Sequence, residues 1–189
     1  SFLDPSRFDL EPAALTLGVI LHERGKLEEA DQVLTRVLDV REAGFGLRNR
    51  ELAANLIALA ELRIDQGRVP EAVSMFEEAL EIVEEIFGPG HFMASETRLE
   101  LSRSYSLLGD WQAAFDYALQ AELDAGEHLR MMLTGLSERV ALRYATTRPS
   151  GLDQILSLLV EHPEAEAIRA GFDALIRSRA LVLDEMADR

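Results

Sequence analysis

The residues able to do chemistry are few, and their spacing decides against most of it. His22-Glu23-Arg24-Gly25-Lys26 begins like a helical zinc motif, but the position four residues after His22 holds Lys26. A cation cannot ligate Zn²⁺, and Gly25 ends the helix there. His91, His128 and His162 stand alone in sequence; His91 and His162 read as linker or helix-entry residues, and no metal site is expected from them. With no cysteine there is no thiolate nucleophile, disulfide or Cys-bearing zinc site. Ser137 and Ser150 lack a matched His/Asp context. The glutamates between Phe76 and Glu85 alternate with core positions and read as a solvated face, not as paired carboxylates for acid–base work. Gly44-Phe45-Gly46 and Gly88-Pro89-Gly90 follow helical patterns, whereas nucleotide-binding glycines follow a strand. Met131-Met132 reads as core and Trp111 as packed in a turn, with a ligand-facing Trp111 the lesser alternative. The sequence therefore predicts no catalytic residue, no metal, no cofactor and no enzyme.

What remains is a folded polyanion. The chain has 189 residues, 34 Asp and Glu against 19 Lys and Arg, and a net charge of −15. Such a charge disfavours phosphate backbones and anionic membrane surfaces, so neither nucleic acid nor membrane is an expected partner. A hydrophobic content of 48% is too high for a disordered acidic tail. Residues 1–125 carry a net −13, from 24 acidic and 11 basic residues; residues 126–189 carry only −2, from ten and eight. The basic residues are eighteen Arg and a single Lys, Lys26, which points to the composition of a GC-rich bacterial genome. Ser1 in place of an initiator Met suggests a processing boundary. No signal pattern and no apolar run of ~20 residues is present, so a cytoplasmic protein is expected.

The elements that carry these residues repeat every 42 positions. Gly25, Gly67 and Gly109 share the register, as do Ala30, Ala72 and Ala114, and Leu17, Leu59 and Leu101. Gly18, Ala60 and Ser102 supply a small residue in each copy, while Leu38 matches Leu80 and Phe45 matches Phe87. Leu52, Leu56, Leu59, Ala60 and Leu62 recur at helical spacing, Gly67 is placed for a left-handed C-terminal cap, and Pro70 opens a second helix. Each unit is then a helix–turn–helix hairpin. The small residues let its helices approach, Phe76 or Leu34 fills the space between hairpins, and an unburied apolar face requires stacking on the next.

Gly67-Arg68-Val69-Pro70-Glu71-Ala72, with Gly25–Ala30 and Gly109–Ala114, resembles the inter-helix turn of the tetratricopeptide (TPR) family. The 42-residue period and the linker Phe87-Gly88-Pro89-Gly90-His91 are similar to the long-helix variety of kinesin light chains and bacterial regulators. The resemblance implies an all-α fold, a right-handed α–α superhelix of helix hairpins with a C-terminal helical extension. It also implies a concave groove, lined by the first helix of each pair, that holds a protein or peptide.

The expected organisation is an N-terminal extension (1–10), three hairpins over 11–125 (about 11–45, 46–88 and 89–125), and a helical extension over 126–189. Asp124-Ala125-Gly126 is read as closing the third hairpin, with a helix over 128–146, a break at 147–151, a short helix capped by Ser150, and a last helix starting at His162-Pro163-Glu164. The extension is similar to the segment that joins TPR arrays to a caspase-like CHAT protease domain. Leu136-Ser137-Glu138-Arg139-Val140-Ala141-Leu142, Ser150-Gly151-Leu152 and the run Phe172–Glu185 carry this likeness. The resemblance implies that a His/Cys dyad would lie in a domain after Arg189, and that this chain is a sensing or regulatory portion. A free-standing scaffold or adaptor is the alternative.

Projecting the family's groove onto this register gives Leu15, Val19, His22, Ile57, Glu61, Ile64, Leu99, Arg103 and Ser106. The family's carboxylate-clamp Asn position is Thr16, Ala58 and Glu100 here, so no carboxylate clamp is expected. The mixed aliphatic surface suits an amphipathic helix or an adjacent CHAT domain. Ile57, Ile64 and Leu99 have a second reading, as hairpin core. Self-association stays open, because terminal repeats need a polar cap and an uncapped array has a sticky end.

Overall fold

Each helix boundary has a local cause that recurs along the chain. Gly25, Gly67 and Gly109 adopt φ of 72°, 74° and 79°, the left-handed region that costs a residue with a Cβ. Around each, the same pair of backbone bonds forms: Gly25 N–H to His22 O with Lys26 N–H to Leu21 O, then Gly67 to Ile64 with Arg68 to Arg63, then Gly109 to Ser106 with Asp110 to Tyr105. This double bond pattern satisfies carbonyls that a helix end leaves orphaned. At helix starts the side chains of Asn49 and His91, also 42 apart, accept from the N–H groups of Leu52 and Met93.

The computed structural model describes residues 11–44, 48–133 and 150–187, with the side chains of 11, 42–44, 132–133 and 179–187 outside that description. Among the described residues there are eight helices and no strand: α1 (Glu11–Glu23), α2 (Leu27–Gly44), α3 (Arg50–Asp65), α4 (Val69–Phe87), α5 (Phe92–Leu108), α6 (Trp111–Leu133), α7 (Leu152–Glu161) and α8 (Ala165–Ala187). The fold is all-α, as the sequence predicts. It forms two compact units, Ser1–Ile82 and Val83–Arg189.

In the first unit α1 pairs with α2, and α3 packs on α2 while touching α1. Ala30, Leu34, Ala58, Leu59 and Leu62 form its core, with Leu15, Val19 and Met75 against it. The small residue at position 18 is a steric requirement: a Cβ there would lie 2.4 Å from Leu34 Cδ2. Burying Leu34, Leu59 and Leu62 completely contributes roughly 1.5–3 kcal/mol for each side chain. Leu17 departs from its register mates. It is 40% exposed, whereas Leu59 and Leu101 are at most 1% exposed.

In the second unit α5 pairs with α6, α7 packs on α6 while touching α5, and α8 packs on both α6 and α7. The Ser102 hydroxyl donates to Ala114 O at 2.6 Å, so the small pair 102/114 joins the helices by a hydrogen bond as well as by proximity. The core is Ala114, Phe115, Ala118, Ile155, Leu158 and Ala167. The tail thus has repeat-like packing: α7 meets α6 and α5 as α3 meets α2 and α1. Gly171 provides the close approach within the last pair, since a Cβ there would lie 2.7 Å from Leu159 Cδ1 and 3.0 Å from Ile155 Cγ2.

Five readings of the sequence need correction or fall outside the description. Helix α6 does not end at Gly126 but runs through it to Leu133. Glycine inside a helix costs about 1 kcal/mol relative to Ala, which the burial of Ala121, Glu122, Ala125 and Leu129 on one face of α6 outweighs. The expected helix over 128–146 therefore begins as the end of α6, and residues 134–149 lie outside the described residues, as does the 1–10 extension. His162 ends α7 instead of opening α8, which starts at Ala165 after Pro163. Met131 is 65% exposed, not core, because it lies across the helix from the Ala125–Leu129 stripe.

Candidate partner-binding face

The projected groove residues divide between the two units. In the first, α1 contributes Leu15, Val19 and His22, and α3 contributes Ile57, Glu61 and Ile64. Leu15 and Val19 are half-buried against the α2–α3 core, Ile57 and Ile64 are half-buried on α3, and Glu61 is exposed. His22 Nε2 lies 2.7 Å from Asp65 Oδ2, joining the end of α1 to the end of α3. The sequence flagged His22 but not Asp65, since nothing local links residues 43 apart.

In the second unit Leu99, Arg103 and Ser106 lie on α5 at successive helical turns. Leu99 is 8% exposed and belongs to the core, the second of its two readings. Arg103 is 59% exposed and pairs with Glu100 on its own helix. Ser106 is already engaged: its hydroxyl donates to Ser102 O at 2.9 Å and accepts from Gln154 Nε2 of α7 at 3.1 Å. The tail helix therefore reaches a projected groove position.

Buried charge, which sequence reasoning missed, fixes the helices that carry these faces. Arg63, 8% exposed on α3, lies 2.9 Å from Asp31 of α2 and donates to Gln66 at 2.8 Å. Burial works against the Asp31 charge. Hydrogen bonds from Arg63, Gln66 and Thr35, with the Arg63 charge, outweigh it and hold the carboxyl below its usual range. In the second unit Arg98, 6% exposed, reaches Glu84 at 2.5 Å, Asp124 at 3.1 Å and Pro89 O at 2.9 Å. Glu122, buried on α6, accepts from Gly151 N–H at 3.0 Å and from the Ser150 hydroxyl at 2.8 Å, placing a carboxylate at the start of α7. The N-cap of α7 is Gly151 and not Ser150 as the sequence suggests, although the Ser150 hydroxyl accepts from Leu152 N–H at 3.3 Å. Gly151 is required there, because a Cβ would lie 2.2 Å from Ala118 O. Trp111 stacks on His162 with centroids 4.9 Å apart, so its ring belongs to the α6–α7 packing.

No group of three or more His, Cys, Asp or Glu placed to hold a metal exists among the described residues. A cavity of about 340 Å³ lies between α6 and α8, lined by Glu122, Glu127, Arg130 and Arg177 among others; its mixed charge selects for no ligand class. No helix is long and apolar enough, among the described residues, to cross a membrane. Among the described residues the helix faces offer surfaces for polypeptide contact.

Helix pairs joined by glycine-capped turns at a fixed period define an α-helical repeat protein. The family model for the tetratricopeptide repeat matches residues 9–80 and 51–122, more than half of the chain, and the chain belongs to that family. A search of curated proteins finds no match. Among solved structures, a kinesin light chain-type protein of Podosopora anserina with nearly identical TPR-like repeats is similar at 20% identity and a TM-score of 0.54, covering 94% of this chain and 96% of that one. A point-substituted form of that protein gives 19% identity and a TM-score of 0.54, covering 97% and 98%. BtubC (BKLC) from P. vanneervenii gives 15% identity and a TM-score of 0.52, covering 94% and 82%. At these identities the likeness concerns the fold alone, but a 94% span reaches well past residue 122 into α7 and α8. TPR repeats form non-enzymatic scaffolds for protein–protein interaction.

Proposed function

We propose that this chain is the regulatory portion of a bacterial, cytoplasmic TPR–CHAT caspase-like protease, binding a polypeptide through the first helices of its hairpins and relaying that state through its tail. The partner-facing residues are Leu15, Val19, His22, Ile57, Glu61 and Ile64 on α1 and α3, and Arg103 and Ser106 on α5. An amphipathic helix suits the α1 and α3 set, since its half-buried aliphatics with the exposed Glu61 offer apolar contact beside a charge. The observation that carries the reading is the 3.1 Å hydrogen bond between Gln154 and Ser106, which ties a partner-facing position to the tail. A partner that takes the Ser106 hydroxyl releases Gln154 and alters how α7 sits on α5.

Support for the protease association comes from the sequence likeness of the tail, above all Phe172–Glu185. Reading the native gene beyond Arg189 tests it. A caspase-like domain with a His/Cys dyad is expected, and a stop codon directly after Arg189 contradicts it. The second reading, a stand-alone scaffold, draws on α1 and α3, whose half-buried aliphatics lie outside the tail and need no protease domain.

A further inference from the structure

The outward stripe of α5 holds an open charge that the projected groove does not include. Glu96 follows Phe92 by four residues and Arg103 follows Glu96 by seven, a spacing that returns all three to one helix face. Phe92 is 48% exposed, and Glu96 is exposed as well. Arg103 pairs with Glu100, whereas Glu96 forms no ion pair among the described residues. Glu96 and Glu100 are like charges one turn apart, an arrangement that costs a helix stability. Local burial raises the Glu96 carboxyl above its ordinary value, and the Glu100 charge adds to the rise. A cation brought to Glu96 from outside would relieve both.

One turn before Glu96 stands an aromatic column. Phe87 stacks on His91 with centroids 4.5 Å apart, and His91 meets Phe92 at 4.6 Å. His91 is held in turn by its capping bond, in which Nδ1 accepts from Met93 N–H at 3.3 Å. Phe92 is therefore braced by His91 while nearly half of its surface is open. A ring and a carboxylate at this spacing have their Cβ atoms about 5–6 Å apart. Such a pair fits a planar cation, which lies on the ring and points its N–H groups at the carboxylate. A guanidinium does both at once through its flat, forked group, whereas an ammonium is a point charge.

We propose that Phe92 and Glu96 form the subsite for an arginine of the polypeptide that α5 binds, so that the partner is basic where it crosses the start of α5. This rests on the reading of α5 as a polypeptide-binding helix and adds the partner's chemistry to it. Charge selects the occupant. An acidic residue at this point would meet both Glu96 and Glu100, and an apolar one would bury the Glu96 carboxylate unpaired. Only a cation gains from both the ring and the carboxylate.

Fluorescence anisotropy with a labelled amphipathic helical peptide of about 18 residues tests it. The peptide carries a leucine face and one central arginine; its counterparts carry citrulline or lysine at that position. The arginine peptide is expected to bind about tenfold more tightly than the citrulline peptide and about threefold more tightly than the lysine peptide. The preference over citrulline is expected to vanish in Glu96→Gln, and the preference over lysine in Phe92→Leu. Glu96→Gln removes a repulsion, so its urea midpoint is expected at or above that of wild type. Phe92→Leu keeps an apolar side chain at a half-exposed site, and native helicity is expected. Binding is expected to move the Phe92 ring and Glu96 carboxyl signals in NMR spectra. Equal affinity for the arginine peptide and either counterpart, or a preference over citrulline that survives Glu96→Gln, overturns the proposal. Arginine-selective binding that moves α1 or α3 signals and not those of α5 overturns it too, while leaving the polypeptide reading intact. That reading falls separately, if no polypeptide is captured from host lysate. Sedimentation without peptide is expected to give one copy; self-association abolished by Glu96→Gln would make a second copy the occupant and overturn the assignment to a partner.

Discussion

The guanidinium of Arg63 on α3 lies 2.9 Å from the carboxylate of Asp31 on α2, with the two side chains only 8% and 28% exposed. The pair joins the first hairpin to the second by a charge contact held inside the stack. Breaking such a pair is costly because it strands a buried cation.

Asp31→Asn keeps the shape and removes the charge. At pH 7 it is expected to lower unfolding free energy by about 1–3 kcal/mol, measured by urea denaturation. The folded-state pKa of Asp31 lies below its usual value. Its contribution is therefore present above the unfolded-state pKa and is lost as pH falls through the lower, folded-state value. The gap between wild type and variant is expected to narrow across that acid window and to stay constant from pH 5 to 7.

Arg98→Ala leaves Asp124 without its buried partner and removes the bonds to Glu84 and Pro89 O. A loss of about 3–5 kcal/mol is expected, read as a lower urea midpoint with an unchanged slope.

Two glycine-to-alanine changes are expected to have opposite signs. Gly126 lies inside α6 with nothing within 4 Å of an added Cβ, so Gly126→Ala gains about 0.5–1 kcal/mol. Gly18→Ala gains similar helix propensity but drives its methyl into the buried Leu34 side chain. Overpacking costs about 1–3 kcal/mol and wins. Thermal unfolding of the two variants checks the contrast.

Glu122→Ala removes the acceptor for Gly151 N–H and the Ser150 hydroxyl. It is expected to cost about 1–3 kcal/mol. Amide exchange of the α7 segment is expected to accelerate, with α1–α3 unchanged, while Glu122→Gln keeps an oxygen there and restores part of the protection.

The repeats were legible because their causes are local and periodic. A left-handed glycine, a small residue and a leucine at fixed offsets recur wherever the same turn and the same close approach recur. The buried ions were not legible. Arg63 and Arg98 find their carboxylates on other helices, and a charge looks the same in sequence whether its partner is water or Asp31. The tail as a repeat-like pair was missed for a related reason: Gly171 follows Ala114 by 57 positions, which breaks the 42-residue comparison while leaving the packing rule intact. His22 stands in the projected set, whereas Asp65, which lies 2.7 Å from it on α3, does not. Leu99 could be core or surface on periodicity alone, and only its burial decides.

The central claim, that the α1, α3 and α5 residues hold a polypeptide, is tested most directly by quantitative capture from native-host lysate. Wild type is compared with the charge-reversed Glu61→Arg/Arg103→Glu chain and with Phe172→Asp, all at equal helicity. The expected result is a polypeptide bound in stoichiometric amount by wild type and Phe172→Asp and lost from the charge-reversed chain. Equal capture by all three, or none by any, would contradict it.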